Sequence, residues 1–200
     1  PAEVDADAFV ATAARGGPPF AALTAFYEAR RAAVPAGHWR ALLDDPRFVD
    51  VPWRLRAIVQ TALTELGKRP AQEIGVAWIC AALENRRRTD AVARWLDAGM
   101  LTGDDLSIDW LRGLVAKPRL RAIALRLLGD RRRVAPARVG LAWLLDAARA
   151  PDAELAEFAQ RMLLESFEPA DFAEGGAGDG RAAGVARLWA LAAGPASPEP

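Results

Sequence analysis

Hydrophobic residues recur three and four positions apart along most of the chain, which is the period of an α-helix that buries one face. Alternation of hydrophobic and polar positions, which is the pattern of a β-strand, finds little support anywhere in the sequence. The sequence therefore predicts an all-α protein. The clearest example is the helix predicted over Pro52–Leu66, whose inward side carries Leu55, Ile58, Val59, Ala62, Leu63 and Leu66.

Turn residues divide this pattern into separate helices. Gly67, Gly99 and Gly129 mark helix ends, because glycine adopts the left-handed conformation without the steric penalty of a Cβ. Thr89 or Asp90 is a candidate cap for the helix that follows it. The predicted helices are Val4–Ala14, Phe20–Val34, His38–Leu43, Pro52–Leu66, Ala71–Leu83, Asp90–Ala98, Asp104–Val115, Arg119–Leu128, Val134–Ala148, Asp152–Phe167 and Arg181–Ala193.

Two stretches of the chain are copies of one another. Arg54–Asn85 and Arg119–Ala150 align without a gap, and ten of the thirty-two positions are identical. This identity indicates an internal repeat. Besides an Arg-Leu-Arg-Ala-Ile block, the matched residues include Gly75, Ala77 and Trp78 in the first copy and Gly140, Ala142 and Trp143 in the second.

Tryptophans mark the same period. Trp110 lies between Trp78 and Trp143, at spacings of 32 and 33 residues. Each follows a helix and a glycine turn, so the repeating element is a helix, a turn and a Trp-bearing helix, which we call the Trp helix. Aromatic residues at the repeat period are expected to pack between hairpins, and stacking on a ligand is the alternative. Trp53 and Trp95, which lie on first helices, are candidates for exposure.

The segment Lys117–Asp130 resembles the first helix and Gly-Asp turn of a HEAT-type repeat, and Pro151–Ala159 resembles the start of the next one. The resemblance covers roughly Val51 to Leu164. It implies a right-handed α-α superhelix, a HEAT-like solenoid of about four to five helical hairpins. The Trp in every second helix departs from the family pattern.

On this interpretation, residues 1–195 form a single HEAT-like domain in which 1–50 are atypical capping helices and 51–166 carry the clearest repeats. The Gly-rich, acidic segment 167–180 is expected to be a loop, either a disordered excursion or a place where a partner binds. Residues 181–193 form the last helix, and 196–200 a loose tail. Because the chain begins at Pro1 rather than Met, it is expected to be part of a longer protein.

Composition limits the classes of function. The chain has 26 basic and 26 acidic residues and a pI of about 7.2, so no global field attracts nucleic acid or an anionic membrane. A single cysteine, Cys80, and the lack of a long apolar run or signal segment favour a cytoplasmic location. All basic residues except Lys68 and Lys117 are arginine, which favours a GC-rich bacterial genome.

No complete catalytic constellation is present, and no cofactor or metal is expected. His38 is the only histidine, too few for a His-based triad or an ordinary metal site. The triplets Arg86–Arg88 and Arg131–Arg133 are interpreted as solvated turn residues rather than a phosphate-binding patch. The candidate binding residues lie on the inner wall that the Trp helices are expected to form, and they are Glu73, Asp105, Asp109, Arg112, Arg138 and Arg149.

The leading hypothesis is a non-enzymatic scaffold or protein–protein interaction module that holds a protein partner or neighbouring domains of the same chain. The mixed charge of the candidate surface suits a protein better than a polyanion. The alternative is a nucleic-acid-binding protein similar to the bacterial alkylpurine DNA glycosylases, which resemble HEAT arrays and use a basic concave face, aromatic residues and an Asp. Trp110 beside Asp109 is similar to that combination, but the acidic residues of the expected inner wall argue against binding of duplex DNA.

Overall fold

The computed structural model describes residues 21–22, 25, 28–46, 56–172 and 189. Within these ranges the chain is helical and contains no β-strand, which confirms the all-α prediction. The chain divides into two compact units, Pro1–Leu101 and Thr102–Pro200, which we call the N-terminal unit and the C-terminal unit. The predicted helix Val4–Ala14 lies outside the described residues, and so does Arg181–Ala193 apart from Trp189, which is helical.

The described part of the N-terminal unit consists of helices joined by short turns. A 3₁₀ turn over Arg31–Ala33 precedes α1, so the predicted helix Phe20–Val34 changes character in its last turn. Helix α1 packs on α2 and α3, and α4 packs on its neighbours α3 and α5. The helices are α1 (Ala36–Asp44), α2 (Arg56–Leu66), α3 (Ala71–Ile74), α4 (Val76–Glu84) and α5 (Thr89–Asp97).

The C-terminal unit has the same kind of local structure. Ser107 caps its first helix by accepting a hydrogen bond from the backbone N–H of Trp110, and Asp152 caps its last described α-helix in the same way through Leu155. Close packing joins α6 to α7 and α9 to α10. The helices are α6 (Ile108–Val115), α7 (Pro118–Gly129), α8 (Pro136–Val139), α9 (Leu141–Ala147) and α10 (Ala153–Ser166), followed by a 3₁₀ turn over Pro169–Phe172.

Unbroken helices bury the residues that their spacing predicts. Complete burial of one such Leu, Ile or Phe side chain contributes about 1.5–3 kcal/mol, so these positions hold the helices in place. Val59 and Leu155 were predicted to lie inward and are only half-buried. The buried hydrophobic residues on α2 and α10 are Ile58, Ala62, Leu63, Leu66, Phe158, Ala159, Met162 and Leu163.

The two predicted helices Ala71–Leu83 and Val134–Ala148 are wrong as continuous elements. Gly75, with φ of 91°, separates α3 from α4, and Gly140, with φ of 84°, separates α8 from α9. Residues with a Cβ rarely adopt such a backbone conformation, so glycine permits the interruption. The two copies of the sequence repeat therefore contain the same break at the same position.

The break changes which side of the first Trp helix is buried. An uninterrupted helix was predicted to present Ile74, Ala77, Trp78, Ala81 and Ala82 on its packed side. Ile74 and Ala82 are buried as predicted, whereas Ala77 and Ala81 are exposed and Trp78 is half-buried. Because α4 begins again after Gly75, its buried side carries Ile79 and Leu83 beside Ala82.

Three further expectations differ from the structure. Helix α6 begins at Ile108 rather than Asp104, because the preceding residues form a turn of their own. Thr89 does not cap α5, since its side chain is buried and its hydroxyl lies 2.9 Å from the carbonyl oxygen of Leu83. Asp90 does not cap it either, because it lies inside the helix.

Trp95, a candidate for exposure, is only 8% exposed, whereas Trp53 lies outside the described residues.

Candidate functional site

Besides Trp78, Trp110 and Trp143, the predicted helices His38–Leu43 and Arg181–Ala193 carry Trp39 and Trp189, and these five tryptophans differ in exposure. Trp39 on α1 is completely buried, whereas Trp78, Trp110 and Trp143 are half-buried. Trp189 is 71% exposed. The half-buried rings on α4, α6 and α9 therefore combine a structural contact with some surface that another molecule can reach.

The exposed positions of the Trp helices include several small residues. They are Gly37 and Ala41 on α1, Ala77 and Ala81 on α4, Gly113 on α6, and Ala142 on α9. A Cβ placed on Gly113 would have no heavy atom within 4 Å, so the space beside it is open. We define the Trp-helix surface of each unit as these small residues with the half-buried Trp rings of the same helices.

In the N-terminal unit, an arginine joins one Trp helix to the next. Arg40 on α1 donates from Nη1 to the carbonyl oxygen of Ile74, at 2.6 Å. Ile74 is the last residue of α3, so this carbonyl lies directly at the glycine break. The Nε of Arg40 is buried and has no hydrogen-bond partner among the described residues. The guanidinium thus satisfies a carbonyl of the interrupted helix while one of its own donors stays unused.

The C-terminal unit has the same arrangement. Arg112 on α6 donates from Nη2 to the carbonyl oxygen of Val139, at 2.5 Å, and Val139 directly precedes Gly140. The Nε of Arg112 is also buried without a partner. Ile74 and Val139 occupy the same position of the sequence repeat. The bond between an arginine and the carbonyl at the glycine break is therefore a recurring feature.

A second arginine in each unit donates to main-chain carbonyls that precede it in the sequence, whereas Arg40 and Arg112 donate to carbonyls that follow them. Arg69, which precedes α3, donates to the carbonyl oxygen of Ala32 at 2.9 Å and to that of Val34 at 2.6 Å. Arg138 on α8 donates to the carbonyl of Gly103 at 2.7 Å and less closely to that of Leu106. The turn before each earlier Trp helix is thus bound by an arginine from the start of the later one.

The surroundings of the tryptophan after the break differ between the units. Trp78 donates from Nε1 to Asp44 at 2.8 Å, and the guanidinium carbon of Arg88 lies 5.4 Å from the ring centroid. Arg88 also pairs with Asp44 at 2.7 Å. Next to Trp143 it is Arg112 that stacks, with its guanidinium carbon 5.6 Å from the ring. These are cation–π distances.

The structure brings some of the predicted binding residues together and separates others. Asp109 pairs with Arg112 at 3.2 Å, and its side chain is 91% exposed. Glu73 pairs with Arg69 at 3.2 Å, and Arg138 is engaged with main-chain carbonyls. Arg149 is exposed in the turn after α9, and none of the described residues contacts its side chain through an ion pair or hydrogen bond.

Asp105 belongs to a turn and not to a helix. Its carboxylate accepts hydrogen bonds from the hydroxyl of Thr102 at 2.7 Å and from the backbone N–H of Thr102 at 2.9 Å. The hydroxyl bond first, and then the N–H bond, lowers the pKa of Asp105 because both favour the charged form. Burial raises the pKa of Cys80, and the charge of Glu84 adds to this effect, so the thiolate is disfavoured.

The arginine triplets form ion pairs within their own units. Arg88 pairs with Asp44, Arg131 lies 2.7 Å from Glu165, and Arg133 lies 3.0 Å from Asp130. Arg86 and Arg132 are exposed. Several of the arginines that could have formed a phosphate-binding patch therefore have carboxylate partners.

Arg40 and Arg69 were not predicted, and Arg88 was expected only as a solvated turn residue, whereas it pairs with Asp44 and stacks on Trp78. Arg40 directly follows a Trp and Arg112 lies two residues after one, so an arginine beside each of these Trp residues was the available signal. No signal in the sequence pointed to the carbonyl partners, because they become available only once the helix breaks.

Metal sites and membrane-spanning helices find no support in the described residues. No three His, Cys, Asp or Glu side chains in the described ranges are grouped so that they could hold a metal ion. In the same ranges no helix combines the length and hydrophobicity needed to cross a bilayer. Comparison with protein-family models, with curated proteins and with solved structures found no match to the chain. The functional argument therefore rests on the internal repeat and on the geometry of the two units.

Proposed function

We propose that the chain is a non-enzymatic helical-repeat module that binds a protein partner, or neighbouring domains of a longer chain, on the Trp-helix surface. In this proposal the helices build a HEAT-like, right-handed solenoid of about four to five hairpins, which acts in the bacterial cytoplasm. Support comes from the sequence repeat and from the same glycine break and arginine bond in both units.

One observation carries the proposal. The exposed positions of α4 and α9 include Ala77, Ala81 and Ala142, which stand beside half-buried Trp rings. Small side chains let the backbone of another protein approach closely, and aromatic residues are enriched where proteins bind one another. The arginine bonds to main-chain carbonyls hold this surface in place, which reduces the entropy that binding would cost.

The same bonds argue against the nucleic-acid alternative. Affinity for DNA comes mainly from Lys and Arg side chains that contact phosphates. The guanidinium groups of Arg40, Arg69, Arg112 and Arg138 instead donate to main-chain carbonyls. A phosphate would have to displace these bonds, and exposed Asp109 would repel it.

Site-specific photo-crosslinking tests the proposal. Benzoylphenylalanine would replace Ala77 or Ala142 in cells that naturally produce the chain, and Gln60 or Asp90, which are exposed on first helices, would serve as controls. We expect the two Trp-helix positions to crosslink to the same protein, or to the same neighbouring domain, and the controls not to. Crosslinks from the controls alone, or from none of the four positions, would contradict the proposal.

Binding of the purified crosslinked protein provides the quantitative check. An Ala77→Arg substitution adds bulk and charge to the surface, so we expect affinity to fall about tenfold or more, whereas Gln60→Arg should leave it within about twofold. A parallel titration of fluorescent duplex and single-stranded DNA at increasing salt tests the alternative. Steeply salt-dependent DNA binding together with no effect of Ala77→Arg would replace the proposed function by nucleic-acid binding.

A further inference from the structure

A groove lies between α7 and α10 in the C-terminal unit, and it encloses a volume of about 450 Å³. Helix α7 contributes Leu125, Arg126 and Gly129 to its lining. A Cβ on Gly129 would lie 3.3 Å from Cε2 of Phe158, so the absence of a side chain at Gly129 keeps this part of the groove open. Neither helix of the groove is a Trp helix, so it is separate from the Trp-helix surface.

Helix α10 lines the groove with four residues, Glu154, Glu157, Phe158 and Arg161. Their spacing of three, one and three residues places them in one stripe along the helix. Phe158 is buried and forms an apolar floor with Leu125, whereas the other three side chains are exposed. The stripe therefore consists of two carboxylates at one end, an aromatic ring, and a guanidinium at the other end.

The three charged side chains of this stripe have no ion-pair partner in the part of the chain that the structure describes. Glu157 and Arg161 are four residues apart, where an ion pair could form, but neither they nor Glu154 makes an ion pair or side-chain hydrogen bond with the described residues. Opposite charges that are left unpaired around an apolar floor can each bind a group of opposite sign on a ligand.

The distance between the charges defines the ligand. At 1.5 Å per residue along a helix, Glu154 and Arg161 are separated by roughly 10 Å. In a peptide with the polyproline II conformation, which has three residues per turn, residues three positions apart lie on the same side and are about 9 Å apart, at 3.1 Å per residue. A basic residue at one end of such a peptide would meet the two glutamates while an acidic residue three positions away meets Arg161.

We propose that the groove between α7 and α10 binds a short segment of a protein partner in the polyproline II conformation, in which a basic and an acidic residue lie three positions apart, with apolar residues between them. The basic side chain is held between Glu154 and Glu157, the acidic side chain pairs with Arg161, and an aliphatic side chain lies over Phe158. This site goes beyond the proposed function, because it uses first helices and would be present even if the Trp-helix surface bound nothing.

The test is a titration of the ¹⁵N-labelled full chain with the peptide acetyl-Lys-Leu-Ala-Glu-amide, followed by NMR. We expect saturable shifts of the Gly129 and Phe158 amides with a Kd on the order of 1 mM, which is typical of a short peptide with few contacts. The double variant Glu154→Lys/Glu157→Lys should weaken binding by about tenfold or more, because the peptide lysine then meets like charge.

The matched control is Asp104→Lys, which reverses an exposed carboxylate of the same unit outside the groove. It should bind the peptide within about twofold of the natural chain. Circular dichroism checks that the double variant keeps its helices, and if it does not, the comparison is made with acetyl-Gln-Leu-Ala-Gln-amide on the natural chain. That peptide has the same length without charge, and it should bind at least about tenfold more weakly.

Three results would overturn the proposal. One is the absence of saturable shifts at Gly129 and Phe158. Another is equal binding of the charged and uncharged peptides, which would remove the charge argument. The third is a shift of these amides with protein concentration alone, which would assign the groove to a second copy of the chain. None of these results bears on the crosslinks from Ala77 and Ala142, so the two proposals fail separately.

Discussion

Both units satisfy the carbonyl before a glycine break and place an arginine over the following tryptophan, but they use different numbers of arginines to do so. Each has a Trp helix that breaks at a glycine, and each supplies an arginine to the carbonyl before the break. In the N-terminal unit Arg40 binds that carbonyl while Arg88 stacks on Trp78. In the C-terminal unit Arg112 binds the carbonyl and stacks on Trp143.

The carbonyl bond, which both units share, and the stacking on tryptophan, which differs between them, have different physical origins. The carbonyl bond recurs because a broken helix exposes a main-chain acceptor that has to be satisfied, whatever the side chains around it are. The stacking partner of the tryptophan can come from either neighbour, since an indole ring accepts a guanidinium over any open part of its face. We therefore expect the break to be the more sensitive feature and the stacking to be the more tolerant one.

Alanine at the glycine breaks should have the largest effect on stability. An alanine at a φ near 90° is strained by about 1–3 kcal/mol. At Gly140 its Cβ would also lie 2.7 Å from Nη2 of Arg112, against 3.2 Å from Nη1 of Arg40 at Gly75. We expect the free energy of unfolding to fall by about 3 kcal/mol in Gly140→Ala and about 2 kcal/mol in Gly75→Ala, measured by urea denaturation.

Gly113→Ala is the matched control for these two variants. Gly113 lies inside helix α6 and has open space around it, so an alanine should stabilise the chain by up to about 1 kcal/mol through its higher helix propensity. Equal stability of Gly140→Ala and the natural chain would show that the break does not require glycine.

The arginine substitutions should have an intermediate effect and test the comparison directly. Methionine keeps an apolar stem but removes the donors, so Arg112→Met loses the carbonyl bond, the stacking and the exposed ion pair with Asp109, whereas Arg40→Met loses only the carbonyl bond. We expect losses of about 2 and about 1 kcal/mol, with faster amide hydrogen exchange in α8–α9 and in α3–α4 respectively. Arg149→Met, at an exposed side chain, should change stability by no more than about 0.5 kcal/mol.

The result would separate two interpretations of the units. A larger loss of stability for Arg112→Met than for Arg40→Met supports the view that the Arg112 guanidinium stabilises the C-terminal unit both by binding the carbonyl and by stacking on Trp143. Equal losses would mean that stacking on Trp143 contributes nothing measurable. Arg88→Met in the N-terminal unit removes the stacking on Trp78 together with the bonds of Arg88 to Asp44 and to the carbonyl oxygen of Leu43, and it should leave hydrogen exchange at Ile74 unchanged.

The turns before the Trp helices should show the smallest effect, and only one of them should depend on pH. Asp105 belongs to the turn before α6, and its pKa is lowered by Thr102, so the bond contributes to stability above the ordinary carboxylate pKa and is lost as the pH falls through the lowered value. We expect Thr102→Val to raise the pKa of Asp105 toward about 3.9, as measured by NMR titration of its carboxyl carbon.

The stability difference between Thr102→Val and the natural chain should therefore be present at neutral pH and disappear at low pH. The corresponding turn before α1, at Val34 and Pro35, contains no carboxylate and should show no such dependence. A difference that persists in acid would mean that the threonine acts through packing rather than through the hydrogen bond.

The sequence predicted the helices well where the hydrophobic spacing was continuous. Helices α2, α7 and α10 follow it closely, because burial of one apolar face decides both their existence and their orientation. The spacing failed at Gly75 and Gly140, where it continues across a glycine that interrupts the helix. The sequence alone does not show whether a glycine inside a helical pattern continues the helix or adopts a positive φ and ends it.

The candidate site was predicted less completely. The charged residues of the Trp helices were identified, but their partners were not, because a main-chain carbonyl is not visible in a sequence. Arg112 and Arg138 were expected to face a ligand, whereas the structure shows them bound to Val139 and Gly103. Ala77 and Ala81 were expected inward but are exposed, since alanine is compatible with both environments.

The arginine bonds also have a consequence for the speed of folding. The six bonds that join Arg40, Arg69, Arg112 and Arg138 to carbonyls connect residues only 27 to 37 positions apart. Each doubling of the length of a loop adds only about 0.6 kcal/mol to the entropic cost of closing it, and both ends of every one of these bonds lie within one unit. Each unit can therefore assemble from neighbouring hairpins as soon as they have been synthesised, without waiting for a distant part of the chain.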